Sequence, residues 1–130
     1  MIVNPYIYDT GVLMAAERGD ERVWRLHMLA YRDEVRVIVP APVVAQAWRD
    51  PKQVRMARLL KAVEVRAMDD DLARRAGRLC GESNTADVVD ATVAVLAADL
   101  NATVLTSDPG DINRLVDQQN ALARVEVMAV

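Results

Sequence analysis

Short runs of β-branched and aliphatic residues alternate with longer stretches of helical period along the whole chain. That alternation restricts the fold more than any other feature. "NPYIYDT" reads as a strand ending near Asp9, and "EVRVIVPAP" as a Val-rich strand closed by Pro40 and Pro42. "AVEVRAM" alternates at period two and reads as a third strand, followed by "ATVLTSD" and "ARVEVMAV". The intervening segments read as helices: "GVLMAAERG", "DERVWRLHMLAYRD", the short "VVAQAWRD", and "PKQVRMARLLK" restarted by Pro51. "DDDLARRAGRLCGES" opens with carboxylates suited to a helix N-terminus and has Gly81 as its expected stop. "TADVVDATVAVLAADLN" carries the strongest helical pattern, and "PGDINRLVDQQ" is a short helix before the last strand. Strands alternating with helices imply an α/β chain with a mostly parallel sheet covered on both faces and right-handed crossovers.

At 130 residues, the chain reads as a single domain spanning 1–130. Such a domain buries about two-thirds of its unfolded surface and needs no disulfide or structural metal to fold. With no Phe, its core is built from Val, Leu, Ile, Ala and Met. The single cysteine, Cys80, excludes an internal disulfide and fits an apolar helical pattern, as expected of a core residue in a reducing compartment. No apolar run reaches the length of a membrane span, and the N-terminus lacks the pattern of a signal peptide, so a cytoplasmic protein is expected. The net charge of −3 argues against indiscriminate nucleic-acid binding. It leaves room for an acidic centre offset by a local basic rim.

The chemistry lies in where the acidic residues fall. Asp9 ends the first strand and Asp108 ends "ATVLTSD". In a parallel sheet these strands can be neighbours, which would set both carboxylates on the edge where open α/β sheets place their sites. Asp87 and Asp90 fall in the first turns of the helix before that strand, three residues apart and on one face. Asp111 follows Asp108 by three. Each has an ordinary reading alone. Asp9 suits an N-cap, Asp108 an N-cap followed by Pro109 at N1, Asp87 a favourable dipole contact, and Asp111 a solvated position. The set is harder to dismiss. Asp90 is flanked by Val88, Val89, Ala91 and Val93, and an unpaired carboxylate near a core is unfavourable unless a shared cation offsets it.

Carboxylates without a partnering His or Cys suit an oxygen-seeking ion such as Mg²⁺ or Mn²⁺. His27 lies mid-helix in "RLHMLAY" and reads as structural. A zinc site, a Cys80 nucleophile and a Gly-rich phosphate loop are all set aside on pattern. A hydrolase built this way would need the ion to lower the pKa of water.

"YDTGVL", "DVVDATVAVLA" and "VLTSDPGDI" resemble the acidic motifs of PIN-domain ribonucleases, most nearly the VapC-type toxins of bacterial toxin–antitoxin pairs. "APVVAQAWR" resembles the family segment that usually carries a Glu, and the likeness in length and element order covers essentially the whole chain. The resemblance implies a three-layer α/β/α sandwich on a central parallel sheet and Mg²⁺- or Mn²⁺-dependent RNA cleavage. It also implies a homodimer and a cognate antitoxin partner. By the same resemblance Asp9, Asp90 and Asp108 are the metal ligands and catalytic carboxylates. Thr10, Gln46, Asp87, Thr106, Ser107 and Asp111 are their polar surroundings. Gln46 departs from the pattern, since a neutral amide stands where the family has a charge. The expectation is an active enzyme with weaker metal binding, the alternative a catalytically weakened domain acting mainly as an antitoxin-binding module.

Basic residues recur at every third position, Arg49, Lys52, Arg55 and Arg58, and read as a stripe on one helix able to contact an RNA backbone. Arg18, Arg22, Arg74, Arg75 and Arg78 are lesser candidates, and a solvated helix face explains the stripe equally well. Two other Asp-bearing α/β classes do not fit. A receiver domain wants an acidic pair after strand one and a Lys after the last strand. A haloacid-dehalogenase-type phosphatase wants an Asp two residues after the first, where this chain has Gly11.

Overall fold

In the computed structural model residues 3–119 and 124–130 are described. The first residue of "ARVEVMAV", Ala123, lies outside them. The element order is β1 (Tyr6–Tyr8), α1 (Thr10–Glu17), α2 (Glu21–Arg32), β2 (Val37–Pro40), α3 (Ala41–Ala47), α4 (Val54–Leu60), β3 (Glu64–Arg66), α5 (Asp70–Ser83), α6 (Val88–Leu100), β4 (Thr103–Thr106), α7 (Pro109–Gln118) and β5 (Glu126–Ala129).

The five strands form one sheet in the order β3-β2-β1-β4-β5, and every pairing is parallel. Consecutive residues of a strand point to opposite faces. Ile7 and Tyr8 of β1, all of β2, and Val104, Leu105 and Thr106 of β4 are buried, so the central strands are covered on both sides. Helices α5, α6 and α7 pack on one another, while α1 packs against α2, α3 and α4. Helix α6 is buried without a break from Ala91 to Ala97, the all-round apolar character of a helix held inside a domain.

The chain runs from β1 outward to β2 and β3, then returns across the sheet to β4 and β5. The order therefore reverses between β1 and β4, and the crevice at their carboxyl ends is where such sheets place ligands. Register carries this to single residues: Tyr8 pairs with Leu105, so Asp9 and Thr106 follow at the same level.

Two helix boundaries differ from the sequence expectation. Gly81 lies inside α5, which runs on to Ser83 and stops at Asn84 in the left-handed conformation (φ 53°). Asn tolerates that conformation because its short polar side chain can bond locally. Pro51 does not restart a helix; it lies in a turn held by Lys52 N–H donating to Asp50 Oδ1 at 2.6 Å, and α4 begins only at Val54.

Candidate functional site

Asp9 stands one residue beyond β1, is 5 % exposed, and caps α1 by accepting from Val12 N–H at 3.1 Å through Oδ1. Its Oδ2 accepts from the Thr106 hydroxyl, and the Gly11 and Ser107 backbone N–H groups also donate to the carboxylate. Burial nevertheless pushes its pKa up, outweighing these donors. Thr106 is fully buried and does two jobs: its oxygen also accepts from Asp108 N–H at 2.9 Å. One hydroxyl thus ties the ends of the two central strands together.

Asp108 caps α7, with Pro109 at its first turn, and Oδ1 accepts a long bond from Asp111 N–H at 3.5 Å. Asp87 caps α6 and accepts from Asp90 N–H at 3.0 Å, while Thr85 Oγ1 accepts from Asp87 N–H at 3.2 Å. Asp90 is partly buried and its pKa is pushed up to about 7. Burial is the largest cause, followed by the charge and hydrogen bond of Asp87, then the charges of Asp9 and Asp108. Asp111, fully exposed, is raised first by its hydrogen bond and charge contact with Asp108.

Asp9 and Asp108 are therefore N-caps, as the ordinary reading had it, Asp87 is an N-cap where only a dipole contact was expected, and all three also act on Asp90. Three helix N-termini, of α1, α6 and α7, bring their caps to one edge of the sheet, and Asp90 feels all three carboxylates. Crowded acids in partly apolar surroundings favour either protonation or a bound cation. The all-oxygen donor set fits a hard divalent ion. Among the described residues, however, no three carboxylate, imidazole or thiol groups already form a coordination cluster.

Helix α3 also reaches this edge. Gln46 is exposed, and its Oε1 accepts from the Thr10 hydroxyl at 2.6 Å, directly beside Asp9. Gly11 approaches the β4 end so closely that a methyl group there would stand 1.9 Å from Ser107 Oγ and 2.7 Å from its Cβ. Neither this contact nor the double role of Thr106 has a local signal; both depend on β1 lying beside β4.

Other sequence expectations resolve differently. His27 is buried, its Nδ1 2.9 Å from the Tyr8 hydroxyl, with Tyr8 and Trp24 both edge-on to its ring at 5.7 Å. Burial lowers its pKa, as expected of a neutral structural histidine. Cys80 is buried and its thiol is pushed up by burial and by Asp87, so it is a weak nucleophile. The basic stripe does not lie on one helix: Arg49 follows α3, Lys52 sits in the Pro51 turn, and only Arg55 and Arg58 belong to α4. The Pro51 turn interrupts the helical period on which that stripe depended.

No protein-family model matches the chain, and no curated protein matches its sequence. Solved structures do. VapBC2 from Rickettsia felis, bound to a DNA fragment from its promoter, is similar with a TM-score of 0.69 at 13 % identity, over 96 % of this chain and 98 % of that one. PAE2754 from Pyrobaculum aerophilum is similar at 0.62 and 15 % identity, over 92 % and 99 %. FitAcB from Neisseria gonorrhoeae is similar at 0.57 and 17 % identity, over 95 % and 96 %. At these identities the shared property is the fold, the PIN-like α/β arrangement implied by the sequence motifs.

Proposed function

We propose that this PIN-like chain is the toxin of a toxin–antitoxin pair and acts as a Mg²⁺- or Mn²⁺-dependent endoribonuclease. The observation that carries the reading is the gathering of Asp9, Asp87 and Asp108 about a partly buried Asp90 at the switch point of the sheet, where burial first and these neighbours second push the Asp90 carboxyl up to about 7. Acidic groups so arranged are a site for positive charge. Asp9, Asp90 and Asp108 would hold the ion, with Asp87, Thr10, Gln46, Ser107 and Asp111 around its waters.

When bound, such an ion lowers the pKa of water and stabilises charge on phosphoryl oxygens. The protein's own residues set the stage. Thr106 holds Asp9 by its hydroxyl and Asp108 by its backbone, which keeps the two strand-end carboxylates at one spacing. Asp87 fixes the first turn of α6 and with it Asp90. Thr10 orients Gln46 toward the same edge. Positive charge in the cluster would return Asp90 to its ionised form at neutral pH.

The fold likeness to VapBC2 and FitAcB supports a protein partner, an antitoxin, for this chain. A homodimer and a cytoplasmic location belong to the same proposal; among the described residues no helix is long and apolar enough to cross a membrane. Purified protein freed of its partner is expected to cut single-stranded RNA with Mg²⁺ or Mn²⁺ and not with EDTA, and Asp9→Asn is expected to abolish cutting. Absence of cleavage at saturating Mn²⁺ would overturn the enzyme. The antitoxin-binding reading would then stand, favoured by the neutral Gln46 beside Thr10.

A further inference from the structure

Several cations of this protein are paired with their own acids, and others are not. On α5, Arg74 pairs with Asp70 at 2.9 Å, Arg75 with Asp99 at 2.6 Å, and Arg78 with Glu82 at 2.9 Å. At the β2 and β3 edge, Arg36 and Arg66 share Glu64 at 2.8 and 3.0 Å. Elsewhere the balance is different. Residues 14–25 and 49–61 hold eight basic against four acidic residues in a chain of net charge −3. Among the described residues none of those eight makes an ion pair. Three of the four acids are already engaged: Glu17 accepts from Met56 N–H at 2.7 Å, Asp20 caps α2, and Asp50 holds the Pro51 turn.

The tertiary structure brings these two segments together. Arg55 lies against the turn between α1 and α2, donating to the Glu17 carbonyl at 3.4 Å. A methyl group on Gly19 would stand 3.4 Å from its Cζ. Arg18 is the neighbouring residue of that turn, and Arg58 follows Arg55 by three residues on α4; all three are exposed. Helix α1 connects this patch to the carboxylates. It begins at Thr10, beside Asp9, and ends at Glu17, so its two ends, one at the carboxylates and one at the patch, lie about 10 Å apart along its axis.

We propose that Arg18, Arg55 and Arg58 form a docking patch for phosphates of a single-stranded RNA, flanking the bond presented to Asp9, Asp90 and Asp108. The inference rests on the ribonuclease reading above and deepens it. A polyphosphate chain suits the arrangement because its charge repeats. One strand can reach the carboxylates and still place neighbouring phosphates on guanidinium groups that match them in geometry. The α5 arginines, neutralised by their own acids, are excluded from this role.

The test measures binding without cleavage: anisotropy of a fluorescein-labelled 20-nucleotide single-stranded RNA in EDTA, across a salt series. Arg18→Gln and Arg58→Gln are expected to weaken binding several-fold each and to reduce the salt slope by about 0.7 per residue removed. Arg78→Gln removes the same charge from α5 and is expected to bind like the parent. Melting curves confirm that each variant is folded, and Arg18→Lys, which keeps the charge, is expected to bind between the parent and Arg18→Gln. Equal losses for Arg78→Gln and Arg58→Gln would overturn the patch as a local site. Poly-glutamate displacing the RNA at matched charge concentration would overturn it in favour of an acidic peptide. RNA bound through these arginines by a protein that never cleaves would support the patch while overturning the ribonuclease reading. Cleavage of long RNA with KM unchanged in Arg58→Gln would do the reverse.

Discussion

Replacing Asp90 with Asn should make the cation-free protein more stable, although it removes a group proposed to be essential. The Asp90 carboxyl is raised from 3.8 to about 7, chiefly by burial and then by Asp87, Asp9 and Asp108. A raised carboxyl pKa means that the folded state holds a proton the unfolded state has released. Between about pH 4 and pH 7 stability therefore falls as pH rises, and above pH 7 the full penalty is present. Taken at face value that penalty is about 4 kcal/mol, an upper bound. Partial exposure of Asp90 and water around Asp87 screen it, leaving about 1–3 kcal/mol. For a chain of this size Asp90→Asn should then melt roughly 3–10 °C above the parent at pH 8 in EDTA. At pH 4 the two should nearly coincide. His27, whose pKa is lowered by burial, adds an opposite slope, because an unfolded histidine takes up protons first on acidification. It is present in both proteins and cancels in the difference. Circular-dichroism melts from pH 4 to 8, with and without Mg²⁺, provide the measurement. Mg²⁺ should stabilise the parent more than the variant, since the ion relieves the same repulsion. If Asp90→Asn melts no higher than the parent at pH 8, or if the gap does not widen with pH, the carboxylates are not crowded and the argument for a cation fails.

Gln46→Glu should tighten Mn²⁺ binding by roughly 5- to 150-fold, the equivalent of about 1–3 kcal/mol for a charged in place of a neutral neighbour. Calorimetric titration of both forms decides it, and equal affinities would put Gln46 outside the site. Thr106→Val leaves Asp9 Oδ2 and the Asp108 N–H without their shared partner and should destabilise the fold by about 1–3 kcal/mol in urea unfolding, with Thr106→Ser close to the parent. Gly11→Ala would favour an ordinary helix, but here the new methyl meets Ser107, so a loss of about 1–3 kcal/mol is expected. Adding Ser107→Gly should recover most of it, and a stable single variant would refute the close approach.

Much of this protein can be read from the chain alone. The period of two in "AVEVRAM", the apolar run through "DATVAVLA" and the Asp-Pro pair at 108–109 are local signals. A strand's alternation, a helix's face and an N-cap all arise within a few residues of each other. Element order and the α/β class follow from them. So does the placement of Asp9, Asp87 and Asp108 at helix starts, where the structure finds them as caps. Local signals failed where two of them competed. Gly81 looked like a stop, but the left-handed turn that ends α5 falls at Asn84. The third-residue spacing of basic side chains looked helical across a turn that Pro51 and Asp50 hold open. What no local signal contains is which strands lie side by side. Only the return of the chain across the sheet sets β4 against β1 and lets the Thr106 hydroxyl reach Asp9 across 97 residues. The raised pKa of Asp90 is of the same kind, for it sums burial in α6 with charges carried by the ends of β1 and β4. Electric fields and close packing act through space, and the distances that govern them exist only once the sheet has closed.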